Sequence, residues 1–493
     1  MTPRAMPESP IMRLVAPSLL AFALLAATLA SAHATEPRRR GASPAPTRSS
    51  PPPPAVAQPA VGITLAQAEA LLVERNLSII AARRGVDIAA AQRLVADTPP
   101  AGSLGYGQTT GQVNERTRFG GYTGARYISP LNNLSFSLTV TIERGGKREL
   151  RTRLAQEQIS VAEAQVLDAM REQIFALRTA FIQGLQARAN LQVALANRDS
   201  LGRTESLLGL QVREGAIPEA DLLRFQASRL PFEQDVANAA QTYAVSVAQV
   251  TALLGADASQ ARPSANAGLG RGAASGFDLR GRLEGERTLD IPRLTLAAAI
   301  ATRPDVLAAQ RSVNAAGVNT RLAEAGRSRD VSVGGSATRT ELSQDLPSGS
   351  GAGAPRATNT LGLSLSVPIF TRRITEGNIA VATAQQAQAQ AQADNALTLA
   401  QSDFAIAWAS YEQARSLLAL TTGTALRRAE DAYRATEAAY LAGGRSFLDA
   451  LDALRTLNAT RVAANAARAA YATALVALER TSGVDGLAPR LRP

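Results

Sequence analysis

The sequence predicts an α+β membrane protein built from a duplicated unit of long coiled-coil α-helices and β-strands. Three observations predict it. A motif recurs: Gly215-Ala216-Ile217-Pro218-Glu219-Ala220-Asp221-Leu222-Leu223 aligns with Gly443-Gly444-Arg445-Ser446-Phe447-Leu448-Asp449-Ala450-Leu451, and both the glycines and the aspartates stand 228 apart. An alternating strand recurs, with Leu134, Phe136, Leu138, Val140 and Ile142 answered 227 residues on by Leu361, Leu363, Leu365, Val367 and Ile369. Between them run proline-free helical segments too long for a compact enzyme core.

The chain opens on a targeting signal, expected over residues 1–34. Arg4 and Arg13 precede the apolar run Leu14–Leu29, and Ala32-His33-Ala34 has the form of a small-x-small cleavage site. Met12 is an alternative start to Met1. Residues 35–60, with Pro51–Pro54 in a row, read as an extended linker.

The first copy is expected over 63–257, the second over 294–483. A Gly- and Arg-rich connector (258–292) lies between them and a short tail (484–493) follows. Each copy opens with a helix. Thr64-Leu65-Ala66-Gln67 has the form of a capping box, and Thr295-Leu296 answers it. Arg75-Asn76 and Arg303-Pro304 mark similar places inside the two openings.

The strands follow. Apolar residues at 134–142 alternate with Ser135, Ser137, Thr139 and Thr141, and those at 361–369 with Gly362, Ser364, Ser366 and Pro368. Period two with one apolar face is a half-buried strand, and a tilted membrane-spanning strand needs about 9–11 residues. Weaker partners are expected at Leu104–Val113 and Val331–Thr340, with polar loops around Asn114–Tyr127 and Gln344–Thr358. Four strands cannot close a barrel, and open edges are not tolerated in lipid. Either they pack on helices in water, or several chains pool their strands.

The long helices come last in each copy. From Gly146 to about Val212 there is no proline, and Leu167, Met170, Ile174, Leu177 and Phe181 step by three and four. After the turn Val236, Ala240, Tyr243, Val247, Val250 and Leu254 do the same, which is a coiled-coil seam. The second copy repeats the pattern over Glu376–Leu441 and Ser446–Ser482.

Composition narrows the function. The chain has no cysteine, so neither a disulfide nor a lipid-bearing thiol is available, and the only histidine, His33, lies in the signal. Met170 is the only methionine beyond it. Ser-His-Asp and Cys-His catalysis and the usual zinc and copper ligands are therefore excluded from the mature chain, and no metal site or cofactor is expected. The net charge of +11 is spread along helices, and aromatics are only 4%, so no nucleic acid is expected as a partner.

At this point the chain resembles the TolC family of outer-membrane efflux proteins, over both copies from about Ile63 to Gly483. The resemblance implies a trimer sharing one twelve-stranded β-barrel, continued by a helical tunnel through the periplasm. It implies as partners a periplasmic adaptor, an inner-membrane pump of the RND type and outer-membrane lipid, with no lipid anchor. Glu143-Arg144-Gly145-Gly146-Lys147-Arg148, and Val367-Pro368-Ile369-Phe370 followed by Gly377-Asn378-Ile379-Ala380, resemble the heavy-metal (CzcC-like) branch. The implied function is passive export, with heavy-metal cations as cargo. A duct for drugs or type I secretion is the alternative, and a structural or adhesive coiled-coil protein of the envelope is the alternative of another class.

Tyr440 to Ala453 is similar to the family's periplasmic tip. By that resemblance Asp449 and Asp452 line the constriction, and Tyr440, Arg445 and Asp221 form the latch of the gate. Gly215, Pro218, Gly443 and Ser446 make the tip turns. Where the family has a threonine before the latch aspartate, this chain has Ala220. The residues themselves leave a plainer reading open. Ser446-x-x-Asp449 is also a capping box, and Asp221 sits where an acid favours the helix dipole. Asp452, three residues on from Asp449, shares its helix face and is not needed for a cap.

Overall fold

In the computed structural model the chain divides into two units, residues 1–56 and 57–493. The described residues are 61–113, 128–215, 217–256, 277–283, 291–342, 357–442, 444–488 and 491, all in the second unit. The predicted signal, the whole of the linker and the loop at Asn114–Tyr127 lie outside them, as do residues 344–356 of the second loop.

The first repeat runs β1 (Val61–Thr64), α1 (Leu65–Arg75), α2 (Leu77–Asp97), β2 (Ser103–Val113), β3 (Ile128–Ile142), α3 (Lys147–Arg213) and α4 (Glu219–Leu253). After β4 (Phe277–Arg280), the second repeat runs α5 (Arg293–Ala299), a 3-10 turn (Ile300–Thr302), α6 (Pro304–Ala325), β5 (Val331–Leu342) and β6 (Ala357–Ser366). It ends with α7 (Arg372–Leu420), a π-helical turn (Thr421–Ala425), α8 (Leu426–Leu441) and α9 (Phe447–Ser482).

Local chemistry sets the ends of these elements. Thr64 Oγ1 accepts from the N–H of Gln67 at 3.4 Å while the Gln67 side chain accepts from the Thr64 N–H at 3.0 Å, so α1 begins on the expected capping box. Asn76 ends α1 and caps α2, its Oδ1 accepting from the N–H groups of Ser78 and Ile79. Gly145 and Gly146 turn the chain from β3 into α3 with φ of 81° and 65°, a region open to glycine at little cost. The 67 residues of α3 make a rod of about 100 Å at about 1.5 Å per residue.

Each repeat has its own core. In the first, Leu177, Phe181 and Leu185 of α3 pack with Val247, Val250 and Leu254 from the α4 end and with Leu279 of β4. Gly184 lets β4 approach, because a Cβ there would stand 2.3 Å from Leu279 Cδ1. In the second, Phe404 and Tyr411 of α7 pack with Tyr471, Leu475 and Leu478 of α9. Ile182 of α3 joins the repeats by packing on Ala469, Ala472 and Val476 of α9. Full burial of such a side chain contributes about 1.5–3 kcal/mol.

The four longer strands form one antiparallel sheet in the order β2-β3-β5-β6. The two repeats meet in its middle, where Leu138 lies opposite Gly335 and Val140 opposite Val333.

Several expectations are corrected. The strand expected at 361–369 ends at Ser366. Pro368 has no N–H to give a ladder and restricts Val367 before it, and Phe370 then turns with φ of 58°. Within the connector, β4 pairs in parallel with β1. Thr295 caps nothing: α5 starts after Pro292, which places Thr295 inside its first turn. Leu167 is exposed rather than part of the seam. The outgoing helix of the second repeat starts at Arg372, not Glu376, and is interrupted by the π-helical turn.

Candidate functional site: a two-faced sheet and the helical turns

Residues directly opposite in a ladder share a face, so register sorts the sheet. One face carries Leu104 and Tyr106, then Phe136 and Leu138, then Gly335 and Ala337, then Leu361 and Leu363. The other carries Gly105 and Gly107, Ser135 and Ser137, Ser336 and Thr338, Gly362 and Thr360. Among the described residues no helix covers the apolar face: Leu361 is 86% exposed and Leu363 94%. Water disfavours such a stripe by roughly 25 cal/mol per Å² of apolar surface. Strands β2 and β6 stand at the two ends of the sheet, each with one ladder edge unpaired among the described residues. A sheet apolar outside, polar inside and open at both edges is what one segment of a closed membrane barrel requires.

Ion pairs fasten this sheet to the helices. Lys147 Nζ donates to Asp330 Oδ1 at 2.8 Å and the Arg144 N–H donates to the same oxygen at 3.1 Å. Burial works against the Asp330 charge, but these donors hold its carboxyl below the usual range. Arg151 pairs with Glu143, and that hydrogen bond raises its pKa further. The motif at Glu143–Arg148 thus has a structural task at the junction.

Midway along the helices Arg178 bridges the repeats, donating at 2.5 Å both to Glu69 of α1 and to Glu479 of α9. Burial lowers its pKa, yet the two carboxylates carry it above the ordinary value. Arg303 is 2% exposed and forms a fork on Asp305, at 3.0 and 2.7 Å, while donating to the carbonyls of Ala400 and Thr481. Burial penalises the Asp305 charge, but Arg303 and then Arg171 hold its carboxyl below 3.8. Tyr243 pins β4 by donating to Asp278 at 2.9 Å, and burial beside that carboxylate pushes its pKa up to about 12.

At the helical turns, Ser446 caps α9. Its Oγ accepts from the Asp449 N–H at 3.3 Å, and Asp449 Oδ2 accepts from the Ser446 N–H at 3.2 Å and from Oγ at 2.9 Å. Asp449 therefore works as a capping residue, yet it remains exposed. Asp452 is exposed one turn later, and its backbone carbonyl accepts from Thr456 at 3.0 Å. Gly215 turns with φ of 72° and Pro218 precedes α4, placing Asp221 in its first turn, 3.8 Å from Arg224. Arg445 is exposed, and Gly443 lies outside the described residues.

Among the described residues of one chain no hydrogen bond joins Tyr440 to Asp221. Tyr440 instead meets Phe447 edge-on, with centroids 5.9 Å apart, and Phe447 meets Phe225 at 4.8 Å. Burial raises the Tyr440 pKa. This aromatic chain, which ties the second helical hairpin to the first, escaped the sequence reading. Its signal was present, because Phe447 follows the cap serine and Phe225 lies one turn past Asp221.

Comparison with known proteins agrees with this architecture. Residues 295–484 match the family described as outer membrane efflux protein, a family of ducts and not of enzymes. No curated protein matches the sequence. Among solved structures, CusC superposes with a TM-score of 0.65 at 16% identity, covering 89% of this chain and 98% of that one. The Campylobacter jejuni CmeC outer membrane channel gives 0.65 at 17%, covering 85% of each chain. The Vibrio cholerae outer membrane protein VceC gives 0.61 at 19%, covering 85% of this chain and 96% of that one. Residues 295–484 are thus similar to the outer membrane efflux protein family, and the chain has the fold shared by CusC, CmeC and VceC.

Proposed function

We propose that this chain is the outer-membrane duct of a tripartite efflux system. Three copies close one barrel of twelve strands, four from each, and the long helices continue it as a tunnel into the periplasm. A periplasmic adaptor and an inner-membrane pump of the RND type engage the duct. The pump supplies the energy, while the duct is passive and uses no cofactor. The observation that carries this reading is the sheet, with its bare apolar face, its Ser/Thr/Gly face and its two open edges.

Heavy-metal cations are the cargo this reading favours, on the likeness of residues 143–148 and 367–370 to that branch. Drugs or secreted polypeptides are the alternative cargo. In the trimer Asp449 and Asp452 bring six carboxylates, two from each chain, to the periplasmic end of the tunnel. Crowded acids favour bound cations, so the closed end is cation-selective and open to block by multivalent cations. Tyr440, Arg445 and Asp221 tie neighbouring helices shut at this end.

Planar-bilayer conductance tests this. The wild-type protein should conduct, prefer cations and be blocked by multivalent cations. Asp449→Asn with Asp452→Asn should weaken both properties while the trimer still assembles. Retained selectivity and block would make the pair ordinary helix-start residues. Absence of any conductance would favour a structural envelope protein.

A further inference from the structure

Helices α3 and α9 meet through two asparagine layers, of which only one is closed. The two helices run antiparallel, since Ile182 packs on Ala472 and Leu208 clusters with Leu451. Asn190 and Asn197 stand seven residues apart on α3, as do Asn458 and Asn465 on α9. Seven residues return a coiled-coil helix to the same face. The register that brings Asn465 Nδ2 to Asn190 Oδ1, at 3.0 Å, therefore brings Asn458 to Asn197 one heptad nearer the turns. That second layer does not close. Asn458 Oδ1 is buried without a hydrogen-bond partner. Asn197 is 6% exposed, and its side chain makes no hydrogen bond among the described residues.

Both residues of the open layer line a cavity of about 540 Å³ between α3, α4 and α9. A water occupies about 30 Å³, so a solvent bridge between two amides needs only a small part of this space. The volume falls instead within the range of small-molecule sites, roughly 300–1,000 Å³. Val193, Ala194 and the buried ring of Phe232 make an apolar wall. Among the described residues, Asp235 and Arg455 are the only charged side chains in the lining, and both are exposed. Their charges are opposite, so the mouth carries no net charge, while the deep part is neutral and hydrogen-bonding.

We infer that the open layer is a binding site for a small neutral organic molecule with a carboxamide head and an apolar, ring-bearing body. Asn458 Oδ1 requires a donor, and the asparagine amides bring N–H groups that require an acceptor. A ligand carboxamide supplies both from adjacent atoms, much as one asparagine answers another in the closed layer. Its body then lies against Phe232 and Val193. A carboxylate or ammonium head would be buried with no opposite charge beside it, which is costly. The site uses none of the residues assigned to the helical turns and stands apart from them.

Binding of 4-fluorobenzamide to the full-length assembly in detergent, followed by fluorine NMR against a detergent blank, tests the site. The signal should saturate at one ligand per chain, with a dissociation constant on the order of 1 mM, as suits so small a molecule. 4-Fluorobenzoate and 4-fluorobenzylamine, of similar shape but charged, should bind at least about tenfold more weakly. Asn197→Leu keeps the side-chain size and removes the amide, so it should weaken 4-fluorobenzamide binding at least about tenfold while assembly holds. Ala459→Phe, at an exposed position of the lining, should do the same by obstructing entry, and it serves if Asn197→Leu fails to assemble. The comparison of the three probes needs no variant at all. Absence of saturable binding would overturn the site, whether a neighbouring chain or water alone fills the cavity. So would equal binding of the three probes, or binding that survives both substitutions.

Discussion

Asn76 in the first repeat and Arg303 in the second occupy the same place, each at the N-cap position of the helix that leads to the sheet. Asn76 Nδ2 donates to the Leu253 carbonyl at 2.8 Å, and Arg303 Nη1 donates to the Thr481 carbonyl, 228 residues further on. Both tie the opening helix to the end of the last helix. The first does so with a neutral amide that caps its own helix. The second uses a buried cation that needs Asp305 to neutralise it and whose helix has no side-chain cap. Duplication has thus preserved the contact and the acceptor while changing its electrostatics. The repeats also differ in their helical irregularities, with Pro231 inside the continuous returning helix of the first hairpin and the π-turn in the outgoing helix of the second.

The largest expected difference between the repeats comes from this exchange. Arg303→Ala strands a partly buried carboxylate and two carbonyls and should cost about 3–5 kcal/mol. Asn76→Ala removes a cap and one buried hydrogen bond and should cost about 1–3 kcal/mol. Denaturant unfolding of the purified assembly measures both, and equal losses would mean that the two clamps are not distinct.

Acid should separate the repeats next. The Asp305 carboxyl is held below 3.8 in the folded chain, so its contribution is fully present above that pH and is lost as pH falls through the lowered value. The Asn76 clamp has no such titration. Hydrogen exchange near Thr481 should therefore quicken on acidification before exchange near Leu253 does. The reverse order would remove Asp305 as the cause.

The smallest effect lies at the turns. Asp449→Ala breaks a reciprocal capping box and should cost about 1 kcal/mol. Asp221→Ala removes a dipole contact and a loose, exposed pair with Arg224 and should cost about 0.3 kcal/mol. Exchange of the first-turn amides of α9 and α4 distinguishes them, and similar protection losses would show that the box contributes little.

The sheet was legible because its period-two pattern is independent of what covers either face. The long helices were legible from Leu177, Phe181, Val247 and Val250, whose spacing and burial agree. Phe277–Arg280 was not legible, because a four-residue strand is defined by its partner, and that partner lies more than two hundred residues away. Arg303 was missed because an arginine reads as exposed until a carboxylate and two carbonyls are brought to it. The change of spacing from 227 to 228 stood in the sequence, and the π-helical turn at Thr421–Ala425 lies between the two stretches. At the turns the sequence left capping and pore lining open for Asp449. The structure places it in a cap with its carboxylate still exposed, so the two roles are compatible.

The central claim is that the sheet is one share of a barrel and that its apolar face belongs in lipid. The mass of the full-length protein purified in detergent tests this most directly. The account predicts three chains per particle, stable only while detergent covers the face that carries Leu361 and Leu363. A monomer that stays soluble without detergent would contradict it.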